Sequence, residues 1–285
     1  MTIAIGFRYS GGVLVCSDSL YTVGTLKLNG KKVFRAAVGS ERIVFALAGS
    51  VPFASMAIEK CLREISAIPA EERTKIAMRD ATESVLRDVF QQHIYPHPRH
   101  GTMDGPGFEL AIGAWSHIDG LDFFYTSESA PATILDYHCL GCGHDFAHFI
   151  LKSISRHPYL PLNTAASVAV HILRLVKERV SYCGGANQFA YLTKEGEMGS
   201  GSSLDLTGIE EISAALSSQA AKDVYRVAVD MESADEQLAG KLDTLATILQ
   251  ATREKVRSDR EQFKGFTDHV KESADVLSPP DFKFD

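Results

Sequence analysis

No window of this sequence approaches the roughly 20 consecutive apolar residues that a membrane-spanning helix needs. The first residues lack the basic stretch and long apolar core of a secretory signal, so the cytoplasm is the expected location. No run of Lys and Arg is longer than two residues, and the net charge is -7. Phosphate backbones demand a clustered basic surface, so a nucleic-acid partner is not expected. A G-x-S-x-G elbow is missing, as is a G-x-x-x-x-G-K-[ST] phosphate loop. Cysteine is sparse and odd in number: Cys16, Cys61, Cys139, Cys142 and Cys183 are too few and too scattered for a secreted disulfide scaffold, and they read as thiols.

What the sequence does have is an ordinary globular balance, 45% apolar and 23% charged over 285 residues. Residues 2–9 and 13–17 are β-branched and aromatic, and Ser10-Gly11-Gly12 between them spells a hairpin turn. Residues 32–38 and 42–48 make a second pair around Gly39-Ser40. The unbroken apolar run Ile43 to Ala48 indicates a strand buried on both faces. Helical periodicity follows over 52–65, and again from Pro69-Ala70-Glu71-Glu72 to about Phe90. Residues 97–107 are rich in Pro, Gly and His and read as a loop. Three strands are expected over 108–115, 121–126 and 133–139, then helices over 145–155 and from Pro161 to about Tyr182, and a last hairpin from Gln188.

Strands, two helices, strands, two helices, strands: this α+β order fits two sheets with helices outside them, a four-layer αββα sandwich over residues 1–205. Beyond it, 206–277 reads as a helical extension and 278–285 as a flexible tail. Ile209, Ile212, Leu216, Val224, Val227 and Met231 mark one helix of the extension. Leu238, Leu242, Leu245, Leu249, Thr252 and Val256 alternate steps of four and three, a short heptad-like seam. A helix packed on its own domain and a contact between subunits both explain it.

Two clusters call for a reading, the first as a metal or redox site that Cys183 could join, the second as one face of a helix. Cys139 and Cys142 form a C-x-x-C between His138 and His144, but no second ligand pair accompanies it, and on a strand the two thiols would face opposite ways. No metal site is expected there. His93, His97 and His100 would share a helix face, but Pro96 and Pro98 break helices, and a solvated loop is the expectation.

The remaining signal is at the start. Thr2 follows Met1 directly, and its side chain is small enough for a methionine aminopeptidase to expose it. The exposed residue would carry a hydroxyl nucleophile and a free α-amine as built-in base. Taken singly, Thr2 is the start of a strand, Asp18 a turn residue, and Lys31-Lys32 a solvated charge pair.

Taken together, Thr2, Gly11-Gly12, Asp18-Ser19, Thr22, Gly24, Lys31-Lys32-Val33 and Ala48-Gly49 resemble a proteasome β subunit, and more broadly the N-terminal-nucleophile (Ntn) hydrolases. Gly141-Cys142-Gly143 and Tyr182-Cys183-Gly184-Gly185 extend the resemblance to about residue 205. The long helical C-terminal part is similar to the bacterial ancestral β subunit (Anbu) type.

The resemblance implies a threonine peptidase with Thr2 as nucleophile and its α-amine as base. Lys32 would tune that amine, Asp18 would hold the lysine, and the Gly49 N–H would donate to the oxyanion. Thr22, Leu47 and Val51 match substrate-contact positions. It further implies no cofactor, a peptide or unfolded-protein substrate, and a homo-oligomer in a ring or stacked assembly. Any ATPase or regulator would be a separate chain. Three positions depart from the family pattern. Cys142 and Cys183 stand where supporting serines are expected, and Val180 where an acid is expected. Thiols bond weakly and valine not at all. An inactive structural subunit and a non-peptidase amide hydrolase are therefore the alternatives.

Overall fold

The computed structural model describes residues 2–23, 26–102, 105–154, 160–201, 211, 214–215, 220–224 and 235–270. They fall in two compact units, Met1–Ser203 and Leu204–Ala274.

The first unit is built from two five-stranded antiparallel sheets. One contains β1 (Ile3–Tyr9), β2 (Gly12–Asp18), β10 (Tyr137–Gly141), β11 (Asn187–Thr193) and β12 (Met198–Gly201), in the order β10-β1-β2-β11-β12. The other runs β5-β6-β7-β8-β9, with β5 Val33–Val38, β6 Glu41–Gly49, β7 Phe108–Ser116, β8 Gly120–Ser127 and β9 Ala130–Thr133. Helices α1 (Val51–Ala67) and α2 (Lys75–Val89) share one outer core with the second sheet; α3 (His144–Ile154) and α4 (Leu162–Arg179) share another with the first. This is the αββα sandwich that the sequence order indicates.

Side-chain alternation explains the layers. In β6, Ile43, Phe45 and Leu47 enter the core under α1 and α2, while Val44, Ala46 and Ala48 enter the layer between the sheets. In β1, Ile3, Ile5 and Phe7 face α3 and α4, and Ala4 faces inward. Both faces are apolar, so the run is continuous rather than alternating. The inner faces use small residues, and the sheets approach closely. At Gly6 an added Cβ would lie 2.6 Å from the Phe123 ring, so a side chain there has no room.

Several boundaries differ from the sequence expectations. Pro69 to Glu72 does not start α2. Ala70–Glu72 forms a single 3₁₀ turn, and α2 begins at Lys75, where the Thr74 hydroxyl accepts from the Ala77 N–H. The Thr74 cap satisfies a first-turn donor that Pro69 cannot. The single strand expected over 133–139 is two strands in different sheets. The chain crosses between them at Leu135, which is 77% exposed, and the crossover is pinned by the Arg8 N–H to Asp136 O at 2.7 Å. A hairpin of β3 (Leu20–Val23) and β4 (Leu26–Asn29) was not anticipated; its second strand is exposed along its length. Helix α4 ends at Arg179, ahead of Tyr182 and the glycines. His93 and His97 pack against the Phe53 ring, at 6.5 and 6.2 Å between centroids.

In the second unit, α5 (Asp235–Val270) carries the heptad-like seam. Val256 is buried while Leu242 is 47% exposed. Lys255 pairs with Glu211 at 2.7 Å. Of the expected helix from Ile209 to Met231, only Val224 of its marker residues is described; the tail 278–285 lies outside the described residues. No described helix is long and apolar enough to cross a membrane.

The inter-sheet layer makes a direct prediction. Phe123 is fully buried there. Phe123→Ala should cost about 3–5 kcal/mol in urea unfolding, because the small residues around it cannot collapse into the space. A loss below ~1 kcal/mol would mean that this layer contributes little.

Candidate active site

Four strand ends meet at one end of the sandwich. Thr2 immediately precedes β1, Asp18 ends β2, Lys32 immediately precedes β5, and Gly49 ends β6 just before α1. The β1–β2 register sets Ala4 opposite Ser17, which brings the start of β1 beside Asp18. Lys32 is fixed through its backbone: its N–H donates to Gln188 Oε1 at 2.8 Å and its carbonyl accepts from Leu47 N–H at 3.0 Å.

The three side chains form one closed unit. The Thr2 hydroxyl donates to Asp18 Oδ1 and accepts from Lys32 Nζ. Lys32 Nζ also donates to Asp18 Oδ1, at 2.8 Å, and to the Leu20 carbonyl. Asp18 Oδ1 further accepts from the Ile3 N–H at 3.3 Å, and Oδ2 from the Gly184 N–H at 2.8 Å. Thr2, Asp18 and Lys32 are 1%, 0% and 1% exposed. Burial pushes the Lys32 ammonium down from its ordinary value, while the Asp18 charge and hydrogen bond oppose that shift. Lys31, its neighbour, is exposed with its ammonium 5.5 Å from the Phe34 ring centre. The solvated-pair reading therefore describes Lys31 and not Lys32.

Gly49 has φ +93°, and a Cβ there would lie 2.4 Å from Gly107 O and 2.8 Å from Phe108 Cα. Only glycine fits this turn. A Cβ on Gly141 would lie 2.3 Å from Thr2 O and 3.1 Å from Ala48 Cβ. The end of β6 therefore lies beside Thr2. Of the positions expected to contact substrate, Val51 is the half-buried first residue of α1. Leu47 is 0% exposed within the core under α1, so it presents no surface to a ligand in this conformation. Thr22 lies in β3 opposite Lys27, its side chain outside the described residues.

Cys142 and Cys183 also reach this site. Cys142 Sγ donates to Thr2 O at 3.4 Å and lies 3.8 Å from Cys183 Sγ. A hydrogen bond from Cys183 pulls the Cys142 thiol down to about 6, against burial and the Asp18 charge; the same bond pushes Cys183 up. Val180 caps the end of α4 and packs against the outer core. Cys139 enters the core beneath α3 and α4, away from Cys142. Among the described residues, no cluster of three or more His, Cys, Asp or Glu side chains could hold a metal ion.

Other members of this shell carry no sequence signature. Ser17 Oγ donates to Ile3 O at 2.9 Å, and Glu109 Oε2 accepts from the Gly141 N–H at 2.9 Å. Gln188 holds both Lys32 N–H and, through Nε2, Gly30 O. The backbone groups of Leu20 and Gly184 serve the charged pair directly; Gly184 lies in the Tyr182 to Gly185 motif, while nothing local marks Leu20.

The proteasome subunit family model matches residues 2–192. This chain belongs to the proteasome subunit family. Its fold is shared with solved structures of Anbu. A Gly-1 mutant of Anbu from Hyphomicrobium sp. strain MC1 superimposes with a TM-score of 0.66 at 13% identity, covering 82% of this chain and 100% of that one. The helical assembly of the Anbu complex from Pseudomonas aeruginosa gives 0.64 at 14% identity, with 79% and 96% covered. Anbu (ancestral β-subunit) from Yersinia bercovieri gives 0.57 at 14% identity, with 70% and 87% covered. A search of curated proteins finds no match to the sequence.

Two predictions concern this proteasome-family site before any substrate is considered. Asp18→Asn leaves a buried Lys32 ammonium without its counter-charge and should cost about 3–5 kcal/mol of stability, read by urea unfolding. Iodoacetamide should alkylate Cys142 with a rate midpoint near its lowered value of about 6. A midpoint at the ordinary thiol value of roughly 8.5 would show that Cys183 does not stabilise the thiolate.

Proposed function

We propose that this chain is an Anbu-type threonine peptidase subunit, with Thr2 as its nucleophile once Met1 is removed. The observation that carries the reading is the buried Asp18–Lys32 ion pair closed onto the Thr2 hydroxyl. A strand start needs no such pair, and desolvating two charges is costly. While a peptide bond precedes Thr2, its nitrogen is an amide and not a base. Removal of Met1 makes it an amine, and the Lys32 ammonium would lower that amine's pKa and favour the neutral form.

The amine then takes the Oγ proton as Oγ attacks a peptide carbonyl carbon. The Gly49 N–H, at the junction of β6 and α1, stabilises the tetrahedral oxyanion. The α-ammonium returns the proton to the leaving amine, and a water activated by the same amine hydrolyses the ester on Thr2. Every step uses only groups of this chain and water. Peptides or unfolded segments are the substrate class. Self-association fits the helical assembly described for the Anbu complex of Pseudomonas aeruginosa and the partly exposed seam of α5. A cytoplasmic location fits this reading, and any ATPase partner is a separate chain.

A second reading is kept by Val180, Cys142 and Cys183, which replace expected polar supports. On that reading the chain is an inactive structural subunit. Intact mass before and after treatment with a peptide epoxyketone separates the two, because that group needs a free α-amine and the adjacent hydroxyl. The expected result is loss of Met1 and one adduct that Thr2→Ala abolishes. Retained Met1, or an exposed Thr2 that forms no adduct, establishes the structural reading instead. An adduct without peptide turnover points to a non-peptidase amide hydrolase.

A further inference from the structure

We propose that Cys142 and Cys183 are a peroxide-reactive dithiol that closes into a disulfide at the rim of the Thr2 site. The two thiols come from different turns, one between β10 and α3 and the other after α4, yet their sulfurs lie 3.8 Å apart. Gly143 lets the two turns approach this closely: a Cβ there would lie 3.4 Å from Cys183 Sγ and 2.7 Å from Val176 Cγ1.

The pair is asymmetric in the way such chemistry requires. Cys142 is exposed and can meet an oxidant; Cys183 is buried behind it. Cys142 is the thiol held toward the thiolate, with Cys183 as its hydrogen-bond donor. The other three cysteines share none of this. Cys16, Cys61 and Cys139 are buried in apolar cores, and burial pushes all three thiols up. Cys16 and Cys139 both face Ile5, from opposite sides of β1. Two strand spacings, about 10 Å, separate them, beyond the reach of a disulfide.

The chemistry balances with hydrogen peroxide as the named oxidant. The Cys142 thiolate attacks one peroxide oxygen; an S–O bond forms, the O–O bond breaks, and hydroxide leaves and is protonated by solvent. Cys183 sulfur attacks the sulfenic sulfur; the S–S bond forms, and the sulfenic hydroxyl leaves as water with the Cys183 proton. Two thiols are oxidised, and one peroxide is reduced to two waters. Closure also draws Cys142 Sγ, which lies 3.4 Å from Thr2 O, toward Cys183, so the state of the pair is transmitted to the nucleophile's own backbone. This last consequence rests on the hydrolase reading; the disulfide itself does not.

The test is a thiol count and a non-reducing peptide map of the full chain after peroxide treatment and denaturation. The expected result is a fall from five free thiols to three. The map should show one Cys142–Cys183 linkage within a single chain, reversed by dithiothreitol. Cys142→Ser and Cys183→Ser should each keep the remaining four thiols free of any intrachain disulfide. Five free thiols after treatment, a linkage between chains, or over-oxidation of Cys142 without a linkage would overturn the proposal. Epoxyketone labelling of Thr2 is followed in the same samples. Slower labelling of the oxidised form, restored on reduction, is expected, and an unchanged rate rules out transmission to Thr2. No labelling even when reduced rejects the hydrolase reading and leaves the disulfide to be judged by the map.

Discussion

The ion pair between Lys32 and Asp18 is the constraint on which the rest of this structure turns. Two opposite charges sit at 2.8 Å in a place where neither meets water. Desolvating them is recovered only if every remaining donor and acceptor finds a partner. Here they do: Lys32 Nζ reaches Thr2, Asp18 and the Leu20 carbonyl, and Asp18 takes the Ile3 and Gly184 amides besides. Satisfying that pair fixes where four separate segments, around Thr2, Asp18, Lys32 and Gly184, must come together. Thr2 is held between the charges as the one neutral member, its hydroxyl proton toward the carboxylate and a lone pair toward the ammonium.

The sandwich supplies the rigidity such a pair demands. Strands β1, β2 and β6 carry core side chains on both faces and β5 chiefly on its helix side, so a register slip in any of them would turn core side chains out of their layers. Their registers therefore hold the strand ends, and the strand ends hold the site. The small inner faces, with Ala4, Ala46, Ala48 and Ala111 in one layer, bring the two sheets close enough for side chains from both to share one ion pair. The β3–β4 hairpin and the turn after α4 close the same end by backbone bonds, through the Leu20 N–H to Gly184 O at 3.0 Å.

How much of this was legible in the sequence follows from which interactions are local. Strands and helices announced themselves through apolar runs and periodicity, and their order alone indicated four layers. Boundaries set by a capping side chain or by a change of sheet did not. Thr74 caps α2 after a false start at Pro69, and no glycine or proline between Thr133 and Tyr137 marks where the chain leaves one sheet for the other. Among the site residues, Thr2, Asp18, Lys32 and Gly49 were named through their spacing in a family pattern, since each alone has an ordinary explanation. Leu47 shows the limit of that route: a position in a pattern does not say how far the side chain is buried. Gln188, Glu109 and the carbonyl of Leu20 were beyond reach, because nothing local distinguishes a glutamine that orders a lysine from one that faces water.

The three departures from the family pattern take on a different weight once the bonds are assigned. Valine at position 180 and cysteines at 142 and 183 stand where the resemblance leads one to expect stronger side-chain partners. Yet the groups that orient Asp18 and Lys32 are largely backbone: the amides of Ile3 and Gly184 and the carbonyl of Leu20. No substitution at 142, 180 or 183 deletes these. The charged pair can thus persist while its polar surroundings change, which is why its presence argues for chemistry more strongly than the missing serines argue against it. What the thiols add is a different property. A serine at position 142 would give Thr2 O a better hydrogen bond and nothing else. A cysteine gives a weaker bond, and a second cysteine 3.8 Å away makes that bond conditional on the redox state of the pair. The exchange of hydrogen-bond strength for electron chemistry is confined to the rim, leaving the buried centre as it was.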